Sequence, residues 1–184
     1  MENFGVDFRS LLENALSRPS VRLDLVESAS VAIILRPGPD MLWIRRAENP
    51  NDPWSGHMGF PGGRAESGDR DTRRTAERET LEEIGIKLET CADYLGTLDE
   101  IQVRKLNFKL VPHVFWLKEE EPACTLDAKE VHSIHWIGMA HLTDPANRTN
   151  FNSYPAIRFD DRVIWGLSYR ILGDLLARLN SSHA

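Results

Sequence analysis

GFPGGRAESGDRDTRRTAERETLEEIGI, residues 59–86, runs from paired glycines through a cluster of arginines into three closely spaced glutamates. Residues three and four apart share a helix face, so Glu79, Glu82 and Glu83 project together from the middle turns of a helix. At an effective dielectric of about 20, two carboxylates roughly 4 Å apart repel by about 4 kcal/mol. Arg78 pairs with Glu82 at i,i+4, as on an ordinary solvated, salt-bridged face. That neutralises one charge of the three. Arginines, water or a divalent cation are the candidates for the rest. Hard oxygen donors with no thiol or imidazole among them suit Mg²⁺ or Mn²⁺ beside substrate phosphates. Gly62 and Gly63 let the main chain approach a phosphate or metal closely.

The flanks supply the rest of a fold. Asp71 or Asp69 caps the start of the acidic helix, Ala76, Leu81 and Ile84 give it apolar positions, and Gly85 stops it. Leu11, Leu12, Ala15 and Leu16 recur at helical spacing, which predicts an N-terminal helix at about residues 6–18, closed by Pro19. SVAIILRPGPDMLWIRRA (30–47) reads as two strands joined by a turn at Pro37-Gly38-Pro39-Asp40. ENPNDPWSGHMGFPGG (48–63) is a loop long enough to be functional. CADYLGTLDEIQV (91–103), FKLVPHVFWL (108–117) and VHSIHWI (131–137) are strand-like, and Pro112 marks the middle one as an edge or bulged strand. EEEPACTLDAKE (119–130) is a polar loop. AIRFDDRVIW (156–165) forms a hairpin around Asp160-Asp161, and LSYRILGDLLARL (167–179) a terminal helix. Strands interspersed with helices make an α/β (α+β) fold, a mixed sheet with helices packed against it, in one domain over residues 1–184.

With 184 residues and a formal charge of −6, the chain is large enough for a real core and is not built to coat nucleic acid. Cys91 and Cys124 fit no C-x-x-C spacing, so they are read as buried or partly buried free thiols. The first residues lack a basic stretch followed by an apolar run, and no apolar stretch is long enough to span a bilayer. The cytoplasm is therefore the expected compartment, and the sequons at Asn147 and Asn180 are chance matches. His132 and His135, three apart on a strand, point to opposite faces and make no zinc pair.

The acidic stretch resembles the signature of the Nudix hydrolases, G-x5-E-x7-R-E-U-x-E-E-x-G-U with U aliphatic. Gly63 takes the first place, Arg78-Glu79 the R-E, Glu82-Glu83 the E-E, Gly85 the last glycine and Ile86 the final U. Three departures stand out: Asp69 replaces the first glutamate, eight residues precede Arg78 instead of seven, and Thr80 replaces an aliphatic residue. An aspartate followed by eight residues and T-A-x-R-E is similar to the coenzyme A diphosphatase branch. So are MLWIRRAENPNDPWSGHMGFPGG (41–63), with Arg46-Ala47 and Gly56 in place, and VIWGLSYRILGDLL (163–176). The arginine which that branch carries between its Arg-Ala pair and its glycine is missing from ENPNDPWS.

This resemblance implies an α/β/α sandwich with a mixed central sheet. It implies a Mg²⁺- or Mn²⁺-dependent hydrolase of nucleoside diphosphate derivatives, in which water attacks one phosphorus of the anhydride. Glu79, Glu82 and Glu83 would be the metal ligands and Arg78 would orient a glutamate. Glu130, just ahead of a strand, is the candidate general base; a solvated surface glutamate is the alternative. Asp69 is either a turn or cap residue or a further ligand. The implied substrate is coenzyme A or a derivative, cut to 4′-phosphopantetheine and adenosine 3′,5′-bisphosphate. Arg45, Arg46, Arg104 and Lys105 are the residues expected near its 3′-phosphate, if they are not plain surface charges. Trp54 either stacks on adenine or anchors its loop. The alternative substrates are ADP-ribose, dinucleotides and nucleoside triphosphates; a nucleotide-sensing domain without catalysis is the reading from another class. A homodimer also fits the family.

Overall fold

The structure, a computed structural model, describes residues 4–16, 28–50, 54–103 and 107–181. Helix α1 (Phe4–Ala15) is followed by strands β1 (Ser28–Arg36), β2 (Asp40–Arg46), β3 (Met58–Gly59) and β4 (Gly62–Arg64). Next come α2 (Thr72–Ile84), the short α3 (Leu88–Cys91), β5 (Ala92–Thr97), β6 (Ile101–Val103), β7 (Phe108–Leu117) and β8 (Val131–Gly138). The chain ends with α4 (Met139–Thr143), β9 (Arg148–Phe151), β10 (Tyr154–Phe159), β11 (Arg162–Trp165) and α5 (Gly166–Ser181).

Strands β1 to β8 form one mixed sheet. Its spine runs β3-β2-β1-β7-β5, with β4 on β1, β6 on β7 and β8 on β2. Only β1 and β7 are parallel, over Ser28–Leu35 against Lys109–Trp116; the other pairs are antiparallel. The two-residue side-chain period of a strand divides the core. Ile33, Leu35, Met41, Trp43, Val114 and Trp116 face α1, α4 and α5. Ala32, Ile34, Leu42, Ile44, Phe115 and Leu117 face α2 and the start of α3. Strands β9 to β11 make a separate three-stranded antiparallel sheet that continues the α5 side. The result is the expected α/β/α sandwich around a mixed sheet. Among the described residues no helix is long and apolar enough to cross a membrane.

Several local expectations need correction. The N-terminal helix begins at Phe4, earlier than read, while Pro19 lies outside the described residues. The terminal helix spans Gly166–Ser181, longer than the apolar pattern, because polar ends satisfy backbone bonds without contributing periodicity. CADYLGTLDEIQV is not one strand: Cys91 closes α3, and β5 and β6 are separated at Leu98–Glu100. Pro112 sits in an interior strand of the sheet, not at an edge; the irregularity expected as the alternative is present, since the β5–β7 pairing shifts register between Tyr94 and Gly96 and stops at His113. The Pro112 carbonyl accepts from Leu98 N–H at 3.1 Å, and its donorless nitrogen falls where β5 gives way to β6, so no ladder bond is lost. The 48–63 loop contains β3 and β4, whose brevity hides any alternation; residues 51–53 lie outside the described residues. Leu81 is 42% exposed and contributes nothing to the core. Cys124 is exposed and Cys91 half-buried, both as free thiols.

Candidate active site

Helix α2 is unusual in what it buries. Beside Ala76 and Ile84, its covered face carries Thr72, Thr75, Glu77, Thr80 and Glu83. Polar groups survive burial only with partners, and each of these has one. Thr80, at the position where the signature has an aliphatic residue, donates its hydroxyl to Ala76 O at 2.7 Å, the self-satisfaction open to a helical threonine. Glu77 accepts from Arg73 Nε at 2.7 Å, and the Arg73 guanidinium lies 4.2 Å from the Tyr94 ring centre. Tyr94 Oη meets His113 Nδ1 at 3.1 Å, and His113 Nε2 meets Thr72 Oγ1 at 3.0 Å. Burial pushes the His113 imidazole down to about 4, so it is neutral at pH 7 and ties the first turn of α2 to β7.

The start of α2 separates two aspartates that the sequence left interchangeable. Asp71 is the cap: its Oδ1 accepts from Arg74 N–H at 2.8 Å. Asp69 instead receives Arg78 in a two-pronged pair, Nε to Oδ1 and Nη2 to Oδ2, both 3.1 Å. Its Oδ2 also accepts from Thr75 Oγ1 at 2.9 Å and Glu66 N–H at 3.0 Å. Burial alone would raise the Asp69 carboxyl; the Arg78, Glu66 and Thr75 hydrogen bonds outweigh it and hold the group below the usual carboxylate range. Asp69 is therefore spent on positioning Arg78. Sequence reasoning missed this role, and the only trace of it was the threonine before Ala76.

Arg78 then distributes its other donors across the acidic face. Its Nη1 reaches Glu79 Oε1 at 3.0 Å and Glu82 Oε2 at 2.9 Å, while Nη2 donates to Arg64 O at 2.9 Å. Glu83, 2% exposed, turns the other way and accepts from Gly62 N–H at 2.9 Å. Among the described residues, no three histidine, cysteine, aspartate or glutamate side chains are gathered around one metal-sized point. The expected meeting of three carboxylates gives way to a split arrangement, because the guanidinium draws two of them and a main-chain donor holds the third. Charge is still in excess. Burial, then repulsion from Glu79 and Glu130, pushes the Glu83 carboxyl up to about 8 against the pull of Gly62 N–H and Arg46. Burial raises Glu79 too, with Arg78 opposing it and Glu82 and Glu130 adding to it. Three hard oxygen donors, short of positive charge in a half-buried setting, fit a divalent cation of the Mg²⁺ class.

The glycines hold the carboxylates by contact. A Cβ at Gly63 would stand 2.3 Å from Glu79 Oε1, and one at Gly62 would stand 2.2 Å from Ser30 O. Gly62 also has a φ of +152°, which side-chain-bearing residues rarely adopt. These two contacts predict opposite phenotypes. Gly62→Ala meets rigid backbone and is expected to lower stability by roughly 1–3 kcal/mol. Gly63→Ala meets the end of a flexible side chain and is expected to keep the fold while displacing Glu79 and weakening activity. Thermal melts beside rate measurements check both; equal melting losses in the two variants would contradict the assignment.

Glu130 reaches the same place from a distant part of the sequence. The last carbonyls of α2 need partners. Glu83 O accepts from Asp127 N–H and Ile84 O from Thr125 N–H, both at 2.9 Å, which lays the 119–130 loop over the helix end. Glu130 O then accepts from Ala47 N–H at 2.8 Å, beside the end of β2. The Glu130 carboxylate is close enough to raise both Glu79 and Glu83. Arg46, on the same strand end, acts on Glu83.

Arg45 is not brought to this cluster. It follows Trp43 on the opposite face of β2, where Nη2 binds Glu48 Oε1 at 3.0 Å. Glu48 in turn accepts from Ser55 Oγ at 3.1 Å, and Ser55 Oγ receives Asn49 N–H at 2.8 Å, so Arg45 is tied through Glu48 to Ser55 and Asn49. Trp54, in that loop, is 47% exposed. Arg104 and Lys105 lie outside the described residues.

The geometry agrees with comparison to known proteins. Residues 26–158 match the NUDIX domain family. Nudix hydrolase 3 of Caenorhabditis elegans is 30% identical over 148 residues, covering 68% of this chain and 61% of that protein. The uncharacterized protein C14C4.10c of Schizosaccharomyces pombe is 35% identical over 116 residues, covering 60% of this chain and 35% of that protein. The chain thus spans about a third and about three-fifths of these two relatives. Among solved structures, the NUDIX domain of Shewanella oneidensis NrtR, complexed with ADP ribose, superposes with a TM-score of 0.53 at 16% identity, covering 90% of this chain and 91% of that one. At that identity the likeness is one of fold. With the family match covering more than half of its length, this chain belongs to the Nudix family.

Proposed function

We propose that this chain, working as one unit, hydrolyses the diphosphate linkage of a nucleoside diphosphate derivative, with coenzyme A or a derivative as the preferred substrate. One observation carries the reading: Arg78 bridges Glu79 and Glu82 while Glu83 stays buried beside them without a full counter-charge. Glu79, Glu82 and Glu83 would hold Mg²⁺ or Mn²⁺. When bound, that ion neutralises diphosphate oxygens and lowers the pKa of the attacking water. Arg78, fixed by Asp69, positions Glu79 and Glu82 without touching the reacting atoms. Gly62 lets the main chain pack against Ser30, and Gly63 leaves space for the Glu79 carboxylate. Hydrolysis forms one bond from water oxygen to phosphorus and breaks one anhydride P–O bond. We assign Glu130 to take the water proton, since it faces the cluster without being held by Arg78.

Coenzyme A is supported by the motifs at 41–63 and 163–176 and by the spacing from Asp69 to Arg78. A broader specificity, for ADP-ribose or dinucleotides, is favoured by a different observation. Of the two described basic residues expected near a 3′-phosphate, Arg46 stands beside the carboxylates while Arg45 is held by Glu48. A product-resolved assay with Mg²⁺ and Mn²⁺ decides between them. Release of 4′-phosphopantetheine from coenzyme A, faster than cleavage of dephospho-coenzyme A or ADP-ribose, is the expected result. Equal turnover of all three would replace the coenzyme A assignment with the broader one. Binding of all three with no cleavage would leave a sensor.

A further inference from the structure

We propose that Tyr154 and Trp165, backed by Phe151 and His57, form the stacking site for the base of the nucleoside whose diphosphate lies at Glu79, Glu82 and Glu83. The inference rests on the hydrolase reading and adds the part of the site that receives the nucleoside.

Trp165 is the centre of the cluster. His57 meets it edge-on with ring centres 5.1 Å apart, and Phe151 packs at 4.9 Å, so the indole has two rings behind it. Its backbone is fixed by the β10–β11 ladder, opposite Ala156. Tyr154 stands on the open side with its ring centre 6.2 Å from Trp165 and the planes inclined at 39°. The two rings form a wedge with one fixed wall and one free wall, since Tyr154 is 61% exposed. A planar ring sandwiched between two others needs their centres about 7 Å apart, twice the ordinary contact distance of 3.5 Å. A small rotation of Tyr154 supplies the difference.

The wedge is linked to the acidic cluster through Arg46 and His57. Arg46 N–H donates to His57 O at 3.0 Å, extending the register that pairs Arg45 with Met58 and Ile44 with Gly59. Residues directly opposite on antiparallel strands have side chains on one face, roughly 5 Å apart. Arg46 therefore flanks His57 on one side and acts on Glu83 on the other. A ligand with a negative diphosphate and an aromatic end, joined by a short sugar, matches that order of carboxylate site, cation and rings. A flat apolar protein surface has no need of the adjoining charge. Stacking is tolerant of base identity, so purine and pyrimidine derivatives are expected to bind with similar strength.

The test compares wild type, Tyr154→Ala and Tyr154→Phe in Mg²⁺-dependent cleavage of ADP-ribose. Loss of one base–aromatic stack is expected to raise KM about 10-fold in Tyr154→Ala. Tyr154→Phe, which keeps the ring, is expected to restore the wild-type value, and kcat should change little in either. An unchanged KM in Tyr154→Ala overturns the proposal. So does a shift in association state by light scattering with KM unaltered, which would give this face to a second copy of the chain. If wild type cleaves no ADP-ribose, the same comparison is made with coenzyme A; if neither is cleaved, the hydrolase reading has failed on its own account, and tryptophan fluorescence titration with ADP-ribose then decides the wedge. A saturable quench lost in Tyr154→Ala supports it, and no quench, or one retained in that variant, overturns it.

Discussion

Glu83→Gln is expected to lower turnover of the diphosphate substrate by about 100-fold or more while the chain keeps its fold. Groups that merely orient metal ligands are worth roughly 10–100-fold in affinity or activity, so a ligand itself lies at or beyond that range. Glutamine retains an oxygen to accept from Gly62 N–H, the bond that Glu83 makes at 2.9 Å, so the local structure has what it needs. The same variant carries a pH signature. The folded carboxyl sits at about 8, above its ordinary value near 4.5, so the folded state holds this proton more tightly than the unfolded chain. Stability from that source is complete below about 4.5 and is lost as pH rises through about 8. Without divalent metal, the wild-type melting temperature should therefore fall across that window relative to Glu83→Gln. Mg²⁺ should restore it at pH 8 in wild type and not in the variant. A fully active Glu83→Gln, or a melt indifferent to Mg²⁺ at every pH, would remove the metal role and leave only a structural acidic helix.

Arg78→Ala is expected to be the most destabilising single change in the site. The Asp69 side chain, 3% exposed, would lose the guanidinium it pairs with and remain as a buried charge. Removing one partner of such a pair costs about 3–5 kcal/mol, or roughly 6–20 °C of melting temperature in a chain of this size. Glu79 and Glu82 would also lose the nitrogen they share. Arg78→Lys should recover little, because an ammonium cannot reproduce the fork on Asp69 while also reaching Arg64 O. Adding Asp69→Asn to Arg78→Ala removes the stranded charge and should recover much of the melting temperature but not the activity. A double variant no more stable than Arg78→Ala would show that Asp69 is not what Arg78 neutralises.

Much of this was legible in residue order. Spacing alone placed Glu79, Glu82 and Glu83 on one helix and Gly85 at its end, because helical period and end-capping are local rules that need no distant contact. The hairpin at Asp160-Asp161 and the strand Phe108–Leu117 were equally plain. Leu81, and Pro112 as an edge residue, were misplaced for one shared reason. Which side of an apolar or backbone-limited residue meets the core depends on the neighbouring element, and a residue's type does not name that neighbour.

What the sequence by itself determined is the acidic helix, the glycine pair ahead of it and a mixed α/β chain, since these follow from periodicity and backbone chemistry. Tertiary structure alone decided that Asp69 clamps Arg78 and Asp71 caps, that Arg45 is tied to Glu48 while Arg46 faces Glu83, and that Glu130 stands beside Glu79 and Glu83. Each of those outcomes turns on side-chain direction and on carbonyls seeking donors across long stretches of chain. Neighbours in sequence such as Arg45 and Arg46 are chemically alike, and only the two faces of a folded sheet make them different.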